Sequence, residues 1–94
     1  TNFGSIVKSE FILQFRIKAN DQEITSKYSS TISKFVKSST LLNSESSADN
    51  NSIKVTLDII MKDEMEQNNL ISEISNVSGI SEVVIIAAKT DVDY

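Results

Sequence analysis

Ile53-Lys54-Val55-Thr56-Leu57-Asp58-Ile59-Ile60-Met61 places an apolar residue at every second position, with Lys54, Thr56, Asp58 and Ile60 between them. Successive side chains of an extended chain point to opposite faces, so this spacing predicts a strand with one buried face. Glu10 to Lys18 repeats the pattern. Phe11, Leu13, Phe15 and Ile17 fall on one face; Ile12, Gln14, Arg16 and Lys18 fall on the other. Aromatic and branched residues suit a pleated, half-buried surface. Just before Ile53, Ala48-Asp49-Asn50-Asn51 predicts a turn, because Asn and Asp tolerate left-handed backbone and bond their own chain. Such a turn predicts a hairpin, with a short edge strand over Thr40 to Glu45 as the partner. Ser38 to Ser52 is otherwise rich in Ser and Asn, a composition that also fits partial disorder. Ser44 to Ser52 is expected to be the most mobile internal segment, since Ala48 alone offers a side chain to bury.

Between the strands lie two helical stripes. Ile24, Tyr28, Ile32 and Phe35, with Val36 beside them, recur at spacings that share one helix face. Asn20-Asp21 marks the end of the first strand, and Asp21 is placed to cap this helix, which is expected to end near Lys37 or Ser38. Asp63, Glu64 and Glu66 suit the start of a second helix, where negative charge meets the macrodipole. Leu70, Ile71, Ile74 and Val77 carry it forward, and Gly79 is expected at its C′ position. Ile80 to Ala88 is almost wholly apolar and predicts a last strand, buried on much of both faces or covered by a partner. The order strand, helix, strand, strand, helix, strand predicts an α+β, ferredoxin-like βαββαβ fold. It is a four-stranded antiparallel sheet with both helices on one face. Residues 1–8, with Phe3, Ile6 and Val7, read as a lead-in, and residues 9–94 as one domain.

Composition excludes several chemistries. The 94 residues contain no Cys, His, Trp or Pro, and the net charge is −4. Thiolate nucleophiles, Ser–His–Asp triads, zinc fingers and disulfide frameworks are therefore out of reach. The acidic balance disfavours nucleic acid, whose phosphates call for a basic stripe. Lys27, Lys34 and Lys37 share a helix side, but Glu23 precedes them, and the bland reading is a solvated face. The longest apolar run, Val83 to Ala88, falls far short of the ~20 residues that span a bilayer. No signal-peptide pattern opens the chain. It begins at Thr1 rather than Met, as expected of an excised piece of a longer protein, a processed chain or an incomplete sequence.

Leu70-Ile71-Ser72-Glu73-Ile74-Ser75-Asn76-Val77-Ser78-Gly79-Ile80-Ser81-Glu82-Val83-Val84-Ile85-Ile86 resembles the closing helix and strand of ACT-like domains, in which a helix ends at a Gly and a last strand runs beside the first. Taken whole, the chain is similar to the soluble ACT-like domains that follow the membrane spans of uncharacterised bacterial transport-like proteins, including the MgtC group. Its Asp91-Val92-Asp93-Tyr94 ending is part of that similarity. The resemblance implies a regulatory or assembly role and a cytoplasmic domain attached to a membrane through an upstream region; the residues themselves, without a His base or a Ser elbow, predict no catalysis, and no cofactor is expected. The resemblance does not imply amino-acid binding here; small-ligand sensing of the ACT type, of an amino acid or nucleotide, is the alternative. The site would be the turn after the first strand, at Asn20, Asp21 and Gln22. Amino-acid-binding ACT domains usually place a Gly in that turn, and Ala19-Asn20-Asp21-Gln22 has none, which makes close backbone approach to a ligand harder.

Other candidates read as structure. Asp63, Glu64 and Glu66 supply hard oxygen ligands, but the spacing is not that of a calcium loop, and a helix start explains them. Asp91 and Asp93 are a carboxylate pair in a polar tail. None of the 16 Ser residues lies in a Gly-x-Ser-x-Gly elbow. Ser26-Lys27 and Ser33-Lys34 diverge on a helix and do not make a catalytic pair. Self-association is the remaining expectation. With both helices on one sheet face, the other face carries Ile12, Ile60 and half of Val83 to Ala88. A small domain rarely leaves such a patch in water, so a second copy or the rest of the parent chain is expected to cover it.

Overall fold

A computed structural model describes residues 10–87. The elements run β1 (Glu10–Lys18), α1 (Ile24–Ser33), β2 (Val36–Ser46), β3 (Ser52–Met61), α2 (Gln67–Ser75) and β4 (Ile80–Ala87). The strands form one antiparallel sheet in the order β2-β3-β1-β4. This is the expected βαββαβ arrangement. The lead-in residues Phe3, Ile6 and Val7, the last strand residue Ala88, and Asp91, Asp93 and Tyr94 lie outside the described residues.

Alternation in β1 and β3 does what its period requires. Leu13, Phe15 and Ile17 pair with Leu57, Val55 and Ile53 across the ladder, all on the helix-covered face. Paired residues share a face, so the two apolar sets reinforce each other. Ile24 and Ile32 of α1 and Leu70 and Ile74 of α2 close over them, each almost fully buried. Tyr28 meets Phe15 edge-on, with ring centroids 4.9 Å apart. That geometry suits the quadrupoles of two rings. Among the described residues no charged or polar residue is buried.

Four local expectations need correction. The first helix ends at Ser33, not near Lys37 or Ser38. Phe35 donates to the carbonyl of Ile32 at 2.9 Å, and the chain then straightens, so that Val36 opens β2 opposite Met61. The spacing of Phe35 and Val36 fits the stripe, but the pairing with β3 decides their conformation. Consequently β2 is longer than Thr40 to Glu45, and Ser38 to Ser46 is strand rather than disordered. It accommodates two extra residues, Lys37 and Leu42, as irregularities in the ladder.

Asp21 also stands two residues too early to be the helix cap. Its Oδ1 accepts from the amide of Glu23 at 3.0 Å, while Glu23 occupies the N-cap position. Gly79 is not at the C′ position of α2 either, since α2 ends at Ser75 with Asn76 as C-cap. Gly79 instead sits at φ +95° in the turn closed by the amide of Ile80 on the carbonyl of Val77. That is the third position of a turn that needs positive φ.

β4 breaks strict alternation at one place. Gln14 pairs with Val84 and Arg16 with Ser81, leaving Glu82 and Val83 opposite Phe15. Glu82 takes up the bulge at φ +54°. This turns Val83 and Ile85 toward the core, while Val84 and Ile86 remain 45% and 46% exposed on the outer face. On that face Ile12 and Ile60 are half-buried.

Candidate functional site

The chain passes from β1 to α1 through Ala19–Glu23, and this turn is pinned on two sides. The Lys18 amide donates to the carbonyl of Gly79 at 3.2 Å, and the Ala19 amide to that of Asn51 at 3.1 Å. The first bond ties the turn to the start of β4, the second to the β2–β3 hairpin tip. Asp21 then folds the chain back, donating its own amide to the carbonyl of Lys18 at 3.4 Å.

The hairpin tip is built around Asp49. Its carboxylate accepts from the Ser47 hydroxyl, from the Asn51 amide at 3.0 Å and from Asn51 Nδ2 at 3.2 Å. The Ser47 hydroxyl bond, then the Asn51 amide, hold the Asp49 carboxyl below its ordinary value of 3.8. Asn50 adopts φ +60°, the left-handed conformation expected of Asn in a tight turn. The tip thereby presents Asn51 beside the β1–α1 turn.

Between these two segments lies an open cleft of about 670 Å³, lined by Lys18, Asn20, Asp21, Gln22, Glu23 and Asn51. The fold thus gathers Asn20, Asp21 and Gln22 in one place. It adds Lys18 and Glu23 from the flanking elements and Asn51 from the hairpin, which lies 31 positions from Asn20 in sequence (51 − 20). Asn51 was not legible as a site residue, because only the hairpin register brings it there. Chemically, the cleft offers one ammonium, two carboxylates and three carboxamides. That set matches a small polar molecule carrying both charges. Gly79 packs against two of these residues: a Cβ there would stand 3.6 Å from Asp21 Oδ2 and 3.9 Å from Lys18 Cδ.

The other candidates are dispersed. Asp63 caps the short turn of 3₁₀ helix at Glu64–Glu66, accepting from the Met65 amide at 2.9 Å. Glu66 accepts from Asn69 Nδ2 at 2.9 Å. Among the described residues no group of three acidic side chains converges on a metal position. Nor is any described helix long and apolar enough to cross a membrane.

No family model matches the sequence, and no curated protein does. Solved structures do. The crystal structure of the ACT domain from GTP pyrophosphokinase of Chlorobium tepidum matches with a TM-score of 0.53 and 20% identity, over 82% of this chain and 99% of that one. The solution NMR structure of the same domain matches with a TM-score of 0.53 and 19% identity, over 92% of this chain and 97% of that one. The chain has an ACT-like fold. At such identities the likeness is one of architecture. Both of these neighbours are ACT domains of a GTP pyrophosphokinase. In this fold the cleft sits at the β1–α1 turn, and the exposed Asn20 stands beside the half-buried Asp21.

Proposed function

We propose that the chain is a non-catalytic regulatory or assembly domain of a larger bacterial protein. That protein is held in the cytoplasmic membrane by a segment outside these residues, with this domain on the cytoplasmic side. The observation that carries the reading is uncovered apolar surface on a domain whose own core is complete. Val84 and Ile86 are each about half exposed beside Ile12 and Ile60, and Leu41 is 59% exposed on the far strand. Such surface is ordinarily met by a partner, either a second copy or the rest of the parent chain. Removing residues 10–87 from the full-length protein tests it. Retained basal activity with lost control or lost assembly supports the reading; loss of the chemistry itself overturns it.

The cleft favours a second reading, in which the domain senses a small ligand. Lys18 opposite Asp21 and Glu23 suits an amino acid, and the carboxamides of Asn20, Gln22 and Asn51 suit its polar atoms or those of a nucleotide. A thermal-shift screen with amino acids and nucleotides is the test, since a ligand of the folded state raises Tm by mass action. A rise abolished by Asn20→Ala together with Asn51→Ala places the ligand in the cleft. A flat screen removes the sensing reading.

A further inference from the structure

α1 stops at Ser33, and the chain enters β2 at Val36. After Val36 every residue of β2 is exposed, so the helix layer stops short of this outer strand. Between α1 and β2 lies a groove of about 400 Å³. It is lined by the buried Ile32, Val36 and Leu57, the half-buried Tyr28, and the exposed Leu41. Leu41 stands opposite Leu57 on the core face, yet the core does not cover it. An exposed Leu alone means little, but one that borders an apolar groove of ligand size marks a site.

The polar lining is of one character. Lys37 is the one charge among the lining residues, and the remaining polar groups are serines and the Tyr28 phenol. None is Asp or Glu, in a chain of net charge −4. The ladder irregularity sets Lys37 there. Strict alternation after Val36 would turn it to the outer face; as the extra residue before Ser38 it lines the groove instead. Lys37 has no ion pair among the described residues. The hydroxyls of Tyr28, Ser29 and Ser39 make no hydrogen bond among the described residues.

We infer that this groove binds a small monocarboxylate with an apolar body. The carboxylate meets Lys37 and the serine hydroxyls, and the body packs on Tyr28, Leu41 and Leu57. At the ~30 Å³ that a water takes up in the liquid, the groove has room for about a dozen heavy atoms. The cleft at the β1–α1 turn has the opposite composition, with two carboxylates, one ammonium and no large apolar side chain. The two sites sit at opposite ends of α1: Glu23 borders the cleft, and Ile32 and Ser33 border the groove. The inference goes beyond the assembly reading. It assigns Leu41 to a ligand and leaves the outer face of Ile12, Val84 and Ile86 to a partner.

The test is titration of the isotope-labelled chain with phenylbutyrate, an aryl monocarboxylate of this size, followed by amide and methyl NMR shifts. Saturable shifts at Tyr28, Ile32, Leu41 and Leu57 are expected. Ordinary binding efficiency per heavy atom sets a Kd in the millimolar range or tighter. Lys37→Gln is expected to raise that Kd about fivefold, and Leu41→Ser about tenfold. Leu42→Ser removes a comparably exposed leucine outside the groove and leaves Kd unchanged. Neutral phenylbutanol binds the wild-type chain more weakly than the acid does, and Lys37→Gln makes no difference to it. All three side chains are exposed, so each variant should fold, which circular dichroism confirms. No shift at any residue overturns the inference. So do shifts centred on Asn20 and Asn51 or on Val84 and Ile86, and so does a Kd indifferent to both Lys37→Gln and Leu41→Ser. Groove shifts that grow with protein concentration alone make a second copy the occupant and overturn it as well. None of these outcomes touches the assembly reading, which the deletion in the full-length protein tests.

Discussion

Gly79 is held at φ +95°, and a Cβ built on it would stand 2.8 Å from Ile24 Cδ1. Both facts penalise any side chain: the backbone conformation is strained for L-residues, and the nearest atom belongs to a buried core residue. Gly79→Ala is therefore expected to cost about 1–3 kcal/mol, read as a lower urea midpoint with an unchanged m-value. An unchanged midpoint would show that the turn relaxes freely. A second residue-scale outcome concerns Asp49. Its carboxyl is held below 3.8 by the Ser47 hydroxyl first and the Asn51 amide next. A depressed folded value means that the stabilisation is present above the unfolded value and is lost as pH falls through the folded one. The carbon resonance of the Asp49 carboxyl should titrate with a midpoint below 3.8, and Ser47→Ala should move it back up toward that value.

At the scale of the element, protection against amide exchange should follow the ladder. Phe11–Ile17 and Val55–Ile59 are paired centrally and should exchange slowest, while the hairpin tip at Ala48–Asn51 should exchange fastest among internal segments. Uniform protection would contradict this. The same ladder explains what was legible. β1 and β3 announced themselves because each has one face to bury, so period two is written plainly in their residues. β2 was legible only over Thr40 to Glu45, from the turn that precedes Ile53: its Ser, Thr and Asn residues bury almost nothing, and its full length exists because β3 offers it hydrogen-bond partners. The end of α1 was overrun because Phe35 and Val36 satisfy helical spacing, yet Val36 is spent on pairing with Met61. The bulge at Glu82 was hidden by a run of apolar residues in which no alternation is visible. In the cleft, Asn20, Asp21 and Gln22 were legible as punctuation after a strand. Lys18 and Asn51 were not, because their membership depends on register across the hairpin.

At the scale of the whole molecule, α1 runs from the cleft to the groove beside Leu41. Its first residue, Ile24, packs under the Gly79 turn at the cleft, and Tyr28 and Ile32 line the groove beside Leu41. The helix is ten residues long, about 15 Å end to end, and its buried residues are locked into a single core. A ligand that orders the β1–α1 turn therefore acts on the same helix that lines this groove. Linkage makes the effect reciprocal: if the ligand changes the dimerisation constant by some factor, dimerisation changes ligand affinity by the same factor. Sedimentation of the chain with and without any compound that raises Tm through the cleft should accordingly show a shifted Kd. Coupling energies of this kind commonly correspond to about 5–150-fold. The shift should vanish in Asn20→Ala with Asn51→Ala, which removes cleft contacts, while the dimer itself persists. A Kd unmoved at saturating ligand would show that α1 transmits nothing and that cleft and assembly surface act independently.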